Sequence, residues 1–190
     1  MRTVWSSFLF AAALLLSGCG SPAVPRPAGY FRIDLPEKQY VRYDAPCSYS
    51  IEYPTYGKAN PRPGPAIDTC WMDIEFPSFR AKIHLTYFTV NNNLASLTES
   101  ARDLAYKHTV KADAIEEKVW TDDSAHVYGI LYDLKGNTAS AVQFYMTDST
   151  RHYLRGSLYF MAQPNEDSLM PVITFLREDI IRMIETLTWR

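Results

Sequence analysis

The sequence has little of what would assign it to a class at once. Positive charge is not in surplus: 19 Lys and Arg stand against 21 Asp and Glu in 190 residues, a formal net charge of −2. A chain without a basic excess has no means of neutralising many phosphates, which argues against nucleic acid as a partner. Glycine, at 8, and cysteine, at 3, are too scarce for a collagen, a glycine-rich linker protein or a disulfide-stapled miniprotein. No apolar run reaches the roughly 20 residues needed to cross a bilayer. There is no internal repeat, no acidic or basic tail, no phosphate-cradling glycine loop and no Gly-x-Ser-x-Gly elbow. The histidines, His84, His108, His126 and His152, stand singly. Their spacing therefore defines no metal site, and no cofactor is expected. What the chain does have is rings: 13 Tyr, 9 Phe and 4 Trp make up 14% of it, a content suited to sheet faces.

Residues 1–18 read as a lipoprotein signal peptide. Arg2 supplies a positive charge, an uncharged stretch runs from Thr3 through Leu16, and the segment ends in small residues. Leu16-Ser17-Gly18-Cys19 fits the lipobox of bacterial lipoprotein precursors, in which small residues occupy a narrow protease subsite and the Cys19 thiol takes a diacylglyceryl group. The plainer alternative is a secretory leader with an incidental cysteine. Acyl chains such as palmitate contribute about 0.8 kcal/mol per buried CH₂, so three of them would anchor the chain to a membrane it does not span. Residues 19–29 then form a lipidated tether, with Pro22, Pro25 and Pro27 favouring an extended chain of roughly 28 Å. Residues 30–190 are expected to be a single α+β domain.

Beyond the inner membrane disulfides persist, and Cys47 and Cys70 each fall in phase with the apolar alternation of their segments, 47–53 and 70–76. A bridge closing about 24 residues would stabilise by roughly 3 kcal/mol in the chain-entropy model. The alternative is two free core cysteines; a zinc site using them is disfavoured by an oxidising compartment. Because both cysteines begin their strands, a bridge predicts that these two strands are not a simple hairpin.

Strands are expected at 30–35, 47–53, 70–76, 82–90, 112–120, 126–134, 139–147 and 151–161, with a four-proline loop over 54–69. Along 82–90, Ile83, Leu85 and Tyr87 face one way and Lys82, His84 and Thr86 the other. Helical spacing runs from Leu94 to Lys107 and again from about Asp167 or Ser168 to the end, with Pro171 in the first turn. The short turns at Asp122-Asp123-Ser124, Gly136-Asn137 and Asp148-Ser149-Thr150 imply an antiparallel meander. The predicted fold is therefore α+β: an antiparallel sheet of about six or seven strands with one inserted helix and a C-terminal helix. That element order is similar to the Mog1/PsbP-like sandwich.

Two polar clusters are candidate partner-binding surfaces. In Asp148-Ser149-Thr150-Arg151-His152, followed by Arg155, a triad is tempting, but adjacent turn residues rarely converge with the required geometry. Turn formation by Asp148 and Ser149, with Arg155 paired to a neighbouring carboxylate, is the plainer account; an interaction surface is the functional one. In Tyr106 through Glu117, His108, Lys111 and Asp113 form either a helix end, with Lys107 and His108 set against its dipole, or a docking rim. Asp73 and Glu75 are the one tidy carboxylate pair, as a hydrolase would need.

Taken together, the lipobox at Cys19, Pro27-Ala28-Gly29-Tyr30 with Arg32-Ile33-Asp34, Cys47 through Pro54, Cys70-Trp71 with Ile74-Glu75, and Ile83-His84-Leu85 resemble the gliding motility lipoprotein GldD family. So do Tyr106 through Glu117, Gly136-Asn137, Gln143-Phe144-Tyr145, Thr147 through Thr150, Leu154 through Phe160, and Pro164-Asn165 with Asp167-Ser168. The resemblance implies a Bacteroidota envelope lipoprotein required for gliding, a machinery sharing components with type IX secretion, with other gliding lipoproteins as partners. It implies no catalytic residue; only Cys19 carries over. No acidic pair resembling a surface-export signal follows Cys19 in Gly20 to Val24, so an outer-membrane lipoprotein facing the periplasm is expected. The expected role is a non-enzymatic scaffold; the alternative is a glycan or peptidoglycan binder whose rings line one groove.

Overall fold

Seven strands carry the apolar alternation that builds the domain. In the computed structural model, residues 33–63, 70–107, 111–163 and 165–190 are described; the signal peptide, Cys19, the tether and His108 lie outside the described residues. The large sheet has the order β3 (Lys58–Pro63), β4 (Cys70–Phe76), β5 (Ala81–Thr89), β9 (His152–Phe160), β8 (Ser140–Thr147), β7 (Val127–Gly136), β6 (Ala112–Asp122). Every neighbouring pair is antiparallel. A second sheet joins β1 (Tyr40–Asp44), β2 (Tyr49–Pro54) and the short β10 (Thr188–Trp189). Among the described residues the α-helices are α1 (Leu94–Tyr106) and α2 (Glu166–Glu185).

One face of the large sheet is the core. Ile74, Ile83, Leu85, Leu131, Phe144, Met146 and Leu158 pack there against Val172, Leu176, Ile180 and Met183 of α2 and against Tyr49 and Ile51 of β2. Gly156 is required at its centre, because a Cβ there would stand 2.2 Å from the Phe144 ring. Asp133 also faces α2 and is held by both arms of the Arg177 guanidinium at 2.6 Å. The opposite face is covered by α1 in part only: Ala101 packs with Val90 and Tyr153, and Ala105 with Tyr132 and Leu134.

A buried carboxylate fastens α2 to the chain before it. Asp179 has no exposed surface and accepts from Lys38 Nζ at 2.9 Å, Tyr40 Oη at 2.8 Å and Tyr56 Oη at 2.5 Å. Burial, followed by the bonds to Asp179, pushes the ionisation of both tyrosines well above its usual range. At the other end of α2, Asn165 caps Ser168 N. The adjacent Glu166 accepts from Gly136 N at 2.7 Å while its own N–H donates to Asn137 at 2.9 Å. Gly136 adopts φ +93°, a conformation that costs it nothing.

Several expectations are corrected. Residues 33–35, the described part of the strand expected at 30–35, have no regular structure, and the first strand among the described residues is Tyr40–Asp44. The loop expected over 54–69 contains β3. Its prolines are tolerated because β3 is an edge strand, where a missing N–H leaves no ladder bond broken on the solvent side. Helix α2 starts at Glu166, so Pro171 sits in its second turn. The expected antiparallel sheet of about six or seven strands is present with seven, and a three-stranded sheet adds to it. Cys47 and Cys70 are bridged, with Cα atoms 6.0 Å apart. Their segments lie in different sheets, so they form no hairpin.

Candidate functional site

The structure separates the expected partner-binding residues into three places. Asp148, Thr150 and Arg151 line a cleft of about 460 Å³ with His126, Trp189 and Arg190. Asp148 shapes the turn as expected: its Oδ1 accepts from the N–H groups of Thr150, Arg151 and His152 at 3.0, 2.8 and 2.8 Å, and Ser149 takes φ 68°. Burial alone would raise this carboxyl, but those donors outweigh it and hold the pKa down to about 2. His152 is buried behind the turn, shares a 2.7 Å hydrogen bond with the Tyr87 hydroxyl and stacks on Trp189 at 5.4 Å. Burial lowers its pKa, and Nε2 has no hydrogen-bond partner, the Asp148 carboxylate lying 4.0 Å away. Lys111 and Asp113 are exposed at the start of edge strand β6.

Arg155 stands elsewhere, on the part of the large sheet that α1 leaves uncovered. Strand register defines this open face. One transverse row runs Arg62, Trp71, Thr86, Arg155, Tyr145; the next runs Asn60, Asp73, His84, Ser157, Gln143. A third brings Lys58, Glu75, Lys82 and Tyr159 together. Asp73, only 4% exposed, is the hub. It binds Arg62 at 2.8 Å, His84 Nδ1 at 2.6 Å and Lys82 at 3.3 Å, and Lys82 reaches Glu75 at 2.9 Å. Arg62 lies over the Trp71 ring, 5.5 Å from its centroid, and the His84 ring meets Tyr159 edge-on at 5.4 Å.

Arg155 differs from Lys82, which is half-buried on the same face. The expected carboxylate partner is absent: among the described residues no ion pair involves Arg155, and its Nη2 donates to Gln143 Oε1 at 3.1 Å. Burial pushes its pKa down. Gln143 is 2% exposed, and its Nε2 is buried without an acceptor; Trp71 Nε1 in the neighbouring row shares that condition. Sequence reasoning missed Gln143, Trp71 and Arg62. The available signal was the polar residue at alternate positions of strands whose other face is apolar.

This chemistry suits recognition. His84 sits between Asp73 and Ser157 in one row, yet no side-chain hydrogen bond joins His84 to Ser157, and Asp73 is also bound by two cations. A base linked to its nucleophile is missing from that row. The Asp73 and Glu75 carboxylates are both engaged by Lys82, so neither is a free acid or base. Among the described residues no group of three His, Cys, Asp or Glu side chains could hold a metal ion. No described helix is long and apolar enough to cross a membrane. Among the described residues Tyr106 is the only exposed ring, while partly buried rings line two small clefts, Tyr56 and Phe79 in one and Tyr43 and Trp71 in the other. Residues 20–189 match a family described as gliding motility lipoprotein GldD. No curated protein and no solved structure matches the chain.

Proposed function

The chain belongs to the GldD family of gliding motility lipoproteins, and on that premise we propose that it is a non-enzymatic scaffold subunit which docks a neighbouring envelope protein on the open face of its large sheet. Membership makes it a membrane-anchored component of the cell envelope. In this reading residues 1–18 are removed, acylated Cys19 holds the chain in the outer membrane facing the periplasm, and the partners are other gliding lipoproteins and type IX secretion components. The supporting observation is the half-covered sheet. One face is sealed by α2 and β2, whereas the β3–β4–β5–β9 part of the other keeps Arg62, Lys82 and His84 fixed around the buried Asp73 carboxylate. A rigid, pre-ordered charge pattern gives specificity and register at low entropic cost.

The test places a photo-crosslinking residue at Asn60, an exposed position in the Asp73 row, and a control at Glu185, exposed at the end of α2. The expected result is an adduct with a motility or secretion component from position 60 and none from 185. Failure to recover any such component from position 60 overturns the reading. Mass spectrometry of the native protein checks the anchor, which requires a triacylated Cys19 as the first residue.

A further inference from the structure

We propose that Arg155 and Gln143 form a carboxylate-binding site that receives an Asp or Glu side chain of the docking partner. This rests on the docking reading above and names the chemistry of its central contact. The observation behind it is an unfinished hydrogen-bond set. Gln143 spends its acceptor on Arg155 and points a buried amide donor at nothing. Turning the amide over only moves the fault, since Nε2 would then oppose the Arg155 N–H groups and Oε1 would be left unpaired. Two donor groups side by side, one of them cationic, call for an acceptor.

Charge decides which acceptor. Exposed Arg62 is paired with Asp73 and half-buried Lys82 with Glu75, and Lys58 stands in solvent. Arg155 is half-buried beside a neutral amide and, among the described residues, has no counter-ion. That matches a monovalent carboxylate better than a dianionic phosphate, and the planar guanidinium fork fits a carboxylate in two-point contact. A buried cation without a counter-ion costs stability in the free protein, and that cost is relieved on binding. Arg155 lies at the border between the α1-covered and open parts of the sheet: Tyr145, its cross-strand neighbour, stacks on Tyr153, whose hydroxyl bonds Leu97 O of α1. A side chain arriving across the open face meets it there.

The experiment uses the full chain in detergent, uniformly ¹⁵N-labelled, and follows the Arg155 side-chain Nε–H resonance. The probes are N-acetyl-glutamate amide, its glutamine analogue and inorganic phosphate. The expected result is a saturable shift with the glutamate probe, with Kd of millimolar order, and a response at least about tenfold weaker with the neutral analogue. Gln143→Glu places an internal carboxylate against Arg155 and abolishes the response while keeping or raising the melting temperature. Arg155→Met abolishes binding, read by the amide shifts of Gln143 and Ser157. A missing glutamate response, an equal response to the glutamine analogue, tighter phosphate binding or binding retained by Arg155→Met overturns the proposal. The crosslink from position 60 separates the two readings. If it survives in Arg155→Met, docking stands and the carboxylate site falls; if the wild-type chain gives none, docking falls and takes the partner assignment with it.

Discussion

Asp179 and Asp148 are both buried or half-buried acids, and they hold the molecule in different ways. Asp179 gathers Lys38, Tyr40 of β1 and Tyr56; removing it leaves the two hydroxyls without their acceptor, while Lys38 keeps Phe175 O at 2.8 Å and Glu178 at 3.1 Å. Asp179→Ala is expected to cost about 2 kcal/mol or more, read by urea unfolding, since part-buried hydroxyls left without an acceptor carry the cost of their desolvation. Asp148 is satisfied by backbone N–H groups that only an acceptor can use. Its folded pKa of about 2 lies below the ordinary value of 3.8. The stability it contributes is therefore present above about pH 4 and lost as pH falls towards about 2. Asp148→Asn should lower stability at neutral pH, and the gap from the unaltered protein should close across that acid window. A gap that stays constant from pH 5 to 2 contradicts the assignment.

The strands are joined into layers by a few ties, of which the Cys47–Cys70 bridge is the covalent one. It links Cys47, two residues before β2 of the small sheet, to the first residue of β4 in the large sheet. Replacing both cysteines by serine is expected to lower unfolding free energy by about 3 kcal/mol. Amide exchange should rise first in β1, β2 and β10, whose connection to the large sheet it secures. Equal loss of protection in both sheets would count against that role. Edge strands show why some elements were harder to read than others. β6 carries Asp113, Glu116, Glu117 and Lys118 along its length and β3 carries Pro61 and Pro63, two different ways of discouraging edge pairing. The charged edge was legible as a strand because its flanking turns marked it, whereas prolines in β3 read as a loop until the partner strand was known.

The whole molecule is a tyrosine-rich fold whose phenols are largely kept neutral by burial. Tyr40, Tyr49, Tyr56, Tyr132 and Tyr153 all have ionisation pushed well above the ordinary value of 10, in each case by burial first. Above about pH 10 the unfolded chain ionises these groups and the folded one resists, so stability should fall as pH rises beyond that point. Denaturation midpoints measured between about pH 8 and 11 check this. A flat profile would mean that the phenols are as solvated folded as unfolded. At this scale the docking reading and the fold meet: α2 and the small sheet consume one face of the large sheet, α1 only part of the other, and what is left over is the surface available to a partner.

The residues by themselves determined much of this. Alternation with period two placed six of the seven large-sheet strands within a residue or two, because burial on one face writes itself into sequence. The heptad-like spacing of α1 and α2 and the turn residues between strands were equally local. The phase of Cys47 and Cys70 foretold a bridge between non-hairpin strands. Register was decided only by the tertiary structure. Asp73, His84, Ser157 and Gln143 share a row although up to 84 positions separate them, and nothing local to any one strand says which residue will lie beside it. For the same reason Arg155 was expected to meet a carboxylate and meets an amide instead: its neighbours are set by the strands that pair with β9, and that pairing is a property of the folded sheet.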